Sequence, residues 1–212
     1  MADSESISVK SQRNVIRYNT FRNNQNAMVS FRNGNQNIVY GNFFLGSSGI
    51  KIKQASNIYA YNNYFENSTI PVCFVDVSMY PNPDTYENNI VFQHNTFTHC
   101  GAITLGTSLS QVDNCFVNNI IYNTPISAPN NLVAFTGNYD NKKQKEENPF
   151  PLEMTNYSTI CKNLSVLGGS MPNIPNLVIS NIETDSYILL DITGNKRPSK
   201  KSIGCSDFFS VL

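Results

Sequence analysis

The sequence predicts an all-β protein folded as a right-handed parallel β-helix, which is a single-stranded solenoid. Three observations predict this fold. A motif of Asn, apolar and aromatic residues returns along the chain, short β-rich runs alternate with Asn, Gly and Ser, and no stretch shows sustained helical periodicity. The copies lie about 20 to 32 residues apart, within the range of solenoid repeats. Each copy is too short to bury its own apolar face, so neighbouring coils must stack.

Each copy of the motif begins with Asn and ends with a second Asn followed by an aromatic residue. Four clear copies and one degenerate copy occupy residues 14–21, 37–44, 57–65, 89–97 and 114–121. We expect one asparagine of each copy to stack near one corner of the solenoid: Asn19, Asn42, Asn63, Asn95 and Asn119. One phenylalanine of each clear copy is expected to point into the core: Phe21, Phe44, Phe65 and Phe97. A structural role for the asparagines is favoured over ligand binding.

The motif indicates one domain over residues 1–212. Regular coils are expected from about residue 7 to residue 122, and irregular C-terminal coils with a closing segment from about 123 to 212. Three prolines between residues 67 and 87 interrupt the repeat and indicate a loop inserted at one corner. The lysine-rich and glutamate-rich run at 142–147 indicates a charged surface excursion.

The composition excludes several kinds of partner. The formal net charge is +0 and charged residues make up 14%, so nothing calls for nucleic acid or an anionic membrane. No stretch approaches transmembrane length. The N-terminus is polar and acidic and does not resemble a signal peptide, so the protein either stays in the cytosol or is a piece that lacks its export signal.

The five cysteines have no metal-like spacing and are expected to be buried free thiols.

The first residues of the chain carry two carboxylates, Asp3 and Glu5. On a regular strand both would share a face with the apolar residues Ile7 and Val9, so a bulge or turn after Glu5 is needed to separate them. Two carboxylates placed in this way can share a hard cation such as Ca²⁺. The alternative is a solvated acidic terminus without a ligand.

Basic residues recur at the spacing of one coil. Lys10 and Arg32 lie 22 residues apart, which predicts that they stack on one wall about 4.8 Å apart. Lys51 and Lys53 extend the basic character into the next coil. A stripe of Lys10, Arg32 and Lys51 is therefore a candidate site for an acidic polysaccharide, with solvated surface cations as the alternative.

Several of these segments resemble polysaccharide lyase family six, which includes chondroitinase B and many alginate lyases. The segments are 8–11, 14–21, 31–35, 49–52 and 62–65, followed by 190–198 and 203–207 near the C-terminus. The resemblance spans nearly the whole chain, and its most specific part is Lys10-Ser11 followed one coil later by Arg32-Asn33-Gly34-Asn35. Relative to that family the β-helix is truncated at its N-terminus.

The resemblance implies a role for each polar residue. Lys10 matches the general base that removes the C5 proton of a uronic acid, and Arg32 matches the residue that assists the leaving glycosidic oxygen. Glu5, and more loosely Asp3, match ligands of a Ca²⁺ ion that offsets the charge of the substrate carboxylate. The segments that hold Lys51, Lys53 and Asn33 are expected to contact substrate. Asn33 stands where the family often has His, and Asp3 where Glu is typical.

The sequence leaves three functions open. The first is a lyase that cleaves alginate or a chondroitin-type or dermatan-type polysaccharide, with activity reduced by the truncation. The second is a non-catalytic carbohydrate-binding or structural β-helix, and the third is a shortened product without function. An open first coil exposes apolar groups and unpaired strand edges, so a homo-oligomer formed through that coil is also expected.

Overall fold

The computed structural model describes residues 5–75, 87–105, 113–127, 133–136, 138–140, 192 and 205. In this part of the chain the regular elements are eighteen β-strands. None of the described residues belongs to a helix long and apolar enough to span a bilayer.

The strands come in sets of three, one set for each coil. The first two sets are β1 (Glu5–Val9), β2 (Val15–Arg17), β3 (Thr20–Arg22), β4 (Met28–Arg32), β5 (Asn37–Tyr40) and β6 (Phe43–Leu45). The next two are β7 (Ile50–Lys53), β8 (Ile58–Tyr61), β9 (Tyr64–Glu66), β10 (Val72–Phe74), β11 (Ile90–Gln93) and β12 (Thr96–Thr98). The last two are β13 (Ile103–Thr104), β14 (Asn114–Val117), β15 (Ile120–Tyr122), β16 (Ile126–Ser127), β17 (Val133–Thr136) and β18 (Tyr139–Asp140).

Each strand pairs in parallel with the strand three places later in the chain. This pairing builds three six-stranded sheets, which we call the first sheet (β1-β4-β7-β10-β13-β16), the second sheet (β2-β5-β8-β11-β14-β17) and the third sheet (β3-β6-β9-β12-β15-β18). The sheets form the three walls of a solenoid, and the predicted all-β parallel β-helix is confirmed.

The core is a set of rows of side chains that point into the solenoid. In the third sheet, Phe21, Phe44, Phe65 and Phe97 stack with ring centroids 4.7, 4.6 and 4.7 Å apart. Phe44, Phe65 and Phe97 are fully buried, whereas Phe21 in the first coil is half-buried. The prediction for these four phenylalanines is confirmed.

The asparagine ladder between the second and third sheets is also as predicted. The side-chain amides of Asn19, Asn42, Asn63, Asn95 and Asn119 each donate to the Oδ1 of the next asparagine, at 3.1, 3.0, 3.0, 3.0 and 2.8 Å. The last acceptor is Asn138, which extends the ladder into the sixth coil. The residue before each ladder asparagine has positive φ: Tyr18, Gly41, Asn62, His94 and Asn118. Two of these five residues are Asn and one is Gly, the residue types that adopt this conformation most readily.

The structure describes little of the C-terminal half, so the predicted irregular coils and closing segment stay predictions. The strands continue past residue 122 to Asp140. Of the predicted closing segment, the structure describes Ile192 and Cys205. The buried Cys205 donates its amide hydrogen to Thr96 Oγ1 of β12, on the outer side of the third sheet. The charged run at 142–147 and most of the proline-rich insertion lie outside the described residues.

Candidate functional site

The outer side of the first sheet carries the polar residues singled out in the sequence. Val9, Phe31, Ile52 and Phe74 are paired across its strands and point into the core. Side chains alternate along a strand, so the residue before each of them points outward. These outward residues form what we call the outer row: Ser8, Ser30, Lys51 and Cys73, continued by Thr104 and Ser127.

A second row lies beside the outer row, one residue after the core row. Arg32 pairs with Lys53. Lys10 directly follows Val9, which pairs with Phe31, so Lys10 lies beside Arg32 in the neighbouring coil. We call Lys10, Arg32 and Lys53 the basic row. Lys10 is exposed, and the two others are half-buried.

The basic row corrects the predicted stripe in one position. The expected third member was Lys51, but the register places Lys53 next to Arg32 and sets Lys51 beside Ser30 in the outer row. Ile52 pairs with Phe31 in the core. The residue after Ile52, which is Lys53, therefore lies beside Arg32, and the residue before it, which is Lys51, lies beside Ser30. Both lysines still point to the outer side of the same sheet.

A β-bulge turns Glu5 towards this outer side. Glu5 pairs with Met28, but Ile7 pairs with the very next residue, Val29, so β1 contains one extra residue between them. A bulge of this kind shifts the alternation of facing by one position. The separation of Glu5 from Ile7 and Val9 that the sequence required is therefore present.

The Glu5 carboxylate pairs with Arg32. Its Oε1 lies 3.3 Å from Arg32 Nη1, and the side chains of Glu5 and Arg32 are 5% and 35% exposed. Burial raises the Glu5 pKa, but the Ser8 hydroxyl, the Arg32 charge, the Ser30 hydroxyl and the Lys51 charge lower it by more. The net result is a pKa below the ordinary 4.5, so Glu5 is an anion at neutral pH.

A tight turn holds Arg32 at the end of its strand. Asn33 has φ +58° and donates its amide hydrogen to the Lys53 oxygen at 3.2 Å. A Cβ on Gly34 would lie 2.6 Å from the Ser11 oxygen, so the close approach of two coils requires glycine there. Asn35 Oδ1 accepts a hydrogen bond from the Ser56 amide at 2.9 Å. The Arg-x-Gly-Asn pattern is thus a corner that fixes the direction of Arg32.

The turn also bears on Asn33, which was expected to contact substrate. Its side chain is exposed, and its positive φ gives it a structural reason to be asparagine. Contact with substrate stays a prediction for Asn33, as it does for Lys51 and Lys53.

Of the two predicted calcium ligands, the structure describes only Glu5. Calcium takes six to eight oxygen ligands and favours several carboxylates. Glu5 is already paired with a guanidinium and lies near the Lys51 ammonium, and no group of three or more His, Cys, Asp or Glu that could hold a metal occurs in the described part of the chain. Asp3, the second expected ligand, lies outside the described residues, so the predicted pair is not tested.

Three parts of this site were not expected from the sequence. Ser8 and Ser30 lower the Glu5 pKa, and their facing could have been read from strand alternation once the coil spacing was known. Cys73, half-buried beside Lys51 in the outer row, could have been placed in the same way. The Glu5–Arg32 pair joins residues 27 positions apart across a bulge, and no sequence signal locates a bulge to the residue.

Comparison with known proteins gives one match. The family model described as Chondroitinase B matches residues 1–187. Neither the curated proteins nor the solved structures contain a match to this chain.

Proposed function

Because this chain belongs to the chondroitinase B family, we propose that its first sheet binds a uronate-containing polysaccharide and cleaves it by β-elimination. The substrate class is alginate or a chondroitin-type or dermatan-type chain. The observation that supports the proposal is the register of β1 and β4, in which Val9 pairs with Phe31, because the residues that follow this pair are Lys10 and Arg32.

The basic row supports binding of an acidic polymer. Lys10, Arg32 and Lys53 lie in three successive coils, and Lys51 adds a fourth cation in the outer row. Parallel strands are spaced about 4.8 Å apart, which is close to the length of one sugar residue. A polyuronate lying across the strands therefore meets a new positive charge at each of these coils. Asn33 lies beside Arg32 at the same edge of the sheet.

Elimination needs a base and a group that assists departure of the leaving oxygen. Lys10, in its neutral form, takes the proton from C5 of the uronate, and the electrons of that bond form a double bond between C4 and C5. The bond from C4 to the glycosidic oxygen breaks, and the departing oxygen takes a proton from a water molecule, whose hydroxide then accepts the proton held by Lys10. Arg32 stabilises the negative charge that develops on this oxygen, because a guanidinium presents several N–H donors to an anion. The product carries an unsaturated uronate at its new end.

The test is incubation with alginate and with dermatan sulfate, each in the presence of Ca²⁺ and of a chelator. We expect ultraviolet absorbance to rise as unsaturated ends form. Lys10→Ala is expected to abolish the rise and Arg32→Ala to reduce it by a factor of about 100 or more, as expected for loss of a general base or of a charge-stabilising donor. Arg22→Ala is the matched control, because this exposed cation lies in β3 of the third sheet.

Two outcomes decide against cleavage. If wild type binds both polymers but absorbance never rises, the protein is a carbohydrate-binding β-helix, and Arg32 serves binding alone. If wild type neither binds nor cleaves them, both the lyase and the binding module are excluded for these substrates, and a structural β-helix remains.

A further inference from the structure

Glu5 lies in β1, at one edge of the first sheet, and its side chain reaches towards the charged groups of the neighbouring strands. Its Oε1 is 3.3 Å from Arg32 Nη1, and its side chain is only 5% exposed. Lys51 lies close enough for its charge to act on the same carboxylate. The Glu5 carboxylate therefore faces Arg32 in the neighbouring strand, with Lys51 one strand further along the sheet.

This position disfavours a metal ion for two physical reasons. A divalent cation would have to displace the Arg32 guanidinium from a carboxylate that is nearly buried, and it would then lie near the Lys51 ammonium. Charges in such a partly buried site interact more strongly than in water, so the repulsion is not screened away.

The same arrangement gives Arg32 a fixed direction. A guanidinium has five N–H donors. One of its terminal nitrogens points to Glu5, and the 35% exposure of the side chain leaves the group open to the outer side of the sheet. On its other side the Asn33–Gly34 turn limits where the strand can place the side chain. Glu5 and the turn together hold Arg32 in one orientation.

Lys51 is placed to take over the task of a metal ion. It lies in the outer row between Ser30 and Cys73, two residues before Lys53 of the basic row. Elimination requires that the negative charge of the substrate carboxylate be offset while the C5 proton leaves, and an ammonium in contact with that carboxylate supplies such an offset.

We propose that Glu5 positions the Arg32 guanidinium instead of ligating Ca²⁺, and that Lys51 offsets the charge of the substrate carboxylate without a metal ion. The catalytic part of this inference rests on the proposed function, whereas the binding part is independent of it.

The first experiment uses the metal alone. Titration of wild type with Ca²⁺ in a calorimeter is expected to give no saturable heat, and the melting temperature is expected to be the same in Ca²⁺ and in chelator. Saturable Ca²⁺ binding that Glu5→Gln removes would overturn the proposal. This result does not depend on whether the protein cleaves anything.

The second experiment measures binding of an oligouronate in chelator. Lys51→Met is expected to weaken the affinity about tenfold, the change produced by losing one charge-assisted contact. Arg22→Met in the third sheet is the control and is expected to bind like wild type. Wild-type affinity that appears only with Ca²⁺, or Lys51→Met binding equal to wild type, would count against the role of Lys51.

The third experiment separates positioning from a structural role. In chelator, Glu5→Gln is expected to lower kcat about tenfold with a smaller change in KM, because a loosened Arg32 misplaces its charge in the transition state. A variant with a lower melting temperature but unchanged kcat would show that Glu5 only stabilises the fold. A loss of activity that excess Ca²⁺ restores would identify Glu5 as a metal ligand.

If wild type is inactive under every condition, the proposed function fails. The calcium and oligouronate titrations still decide this inference in that case.

Discussion

A single inserted residue determines the chemistry of Glu5. Without the bulge in β1, its side chain would share a face with Ile7 and Val9 and would point into the core. With the bulge, the carboxylate lies on the outer side of the sheet against Arg32. Because of this contact, the ionised form of the Glu5 carboxyl group is more stable in the folded protein than in the unfolded chain.

This difference predicts a pH dependence with a definite sign. The Glu5 pKa is lower in the folded protein than its ordinary 4.5, so its contribution to stability is complete above pH 4.5 and is lost as pH falls through the folded pKa. We therefore expect the stability difference between wild type and Glu5→Gln, measured by urea unfolding, to shrink progressively below pH 4.5. A difference that stays constant down to acid pH would contradict this account of Glu5.

Glu66 provides a control, because its pKa is shifted in the opposite direction to that of Glu5. Burial raises its pKa above 4.5, and the Tyr64 hydroxyl only partly offsets that effect. Its ionised form costs stability, so wild type should gain stability relative to Glu66→Gln as pH falls through the raised pKa towards 4.5. The same set of urea titrations measures both variants.

Some residues of the site were predictable from sequence and others were not. Lys10 and Arg32 could be assigned to neighbouring coils from the sequence because they are separated by one coil length and each follows a core position, and their roles stay predictions. Lys51 was assigned to the basic row, which Lys53 in fact occupies, because the number of residues in a corner sets the register and cannot be read from spacing alone. The pairing of Glu5 with Arg32 depends on a bulge whose need was evident from the pattern but whose partner was not.

At the scale of single elements, the corners carry much of the specificity of the fold. Each ladder asparagine satisfies main-chain groups that would otherwise be buried without partners. Asn63, for example, accepts from the Asn42 amide at 3.1 Å and donates to the Val39 oxygen at 2.9 Å. The ladder was predictable because each of its members sits at the same place in a repeated motif.

Removal of an inner ladder residue should therefore be costly. Asn63→Ala leaves the Asn42 amide and the Val39 oxygen buried without these partners, and we expect a loss of about 3 to 5 kcal/mol in the free energy of unfolding. Asn19→Ala at the exposed end of the ladder is the matched control and should cost about 1 kcal/mol or less, because water can replace its bonds. Chemical denaturation measures both, and equal losses would show that burial of the ladder does not matter.

At the scale of the whole molecule, the first coil differs from the others. Val15 and Tyr18 are 51% and 60% exposed, whereas the corresponding residues of later coils are largely covered. Among the described strands, β1, β2 and β3 each have a partner on one side only, as do β16, β17 and β18 at the other end, and the exposed apolar side chains lie at the first coil. Apolar side chains beside open strand edges favour pairing with another chain.

We therefore expect the protein to self-associate through its first coil. Light scattering over a range of concentrations should show a dimer or larger species. Val15→Lys should shift the distribution towards monomer, because a charge at an edge disfavours strand pairing. Thr69→Lys, at an exposed position in the third coil, is the control for added charge. A wild type that stays monomeric at high concentration would contradict this expectation.

If the outer side of the first sheet cleaves uronate chains by β-elimination, the masses of the products show it directly. A defined oligouronate incubated with wild type should give fragments whose summed mass equals that of the substrate, with one unsaturated end, because elimination adds no water. Lys10→Ala should leave the oligosaccharide intact. Fragments that together carry one added water would show hydrolysis, and a substrate left whole by wild type in both Ca²⁺ and chelator would contradict the claim.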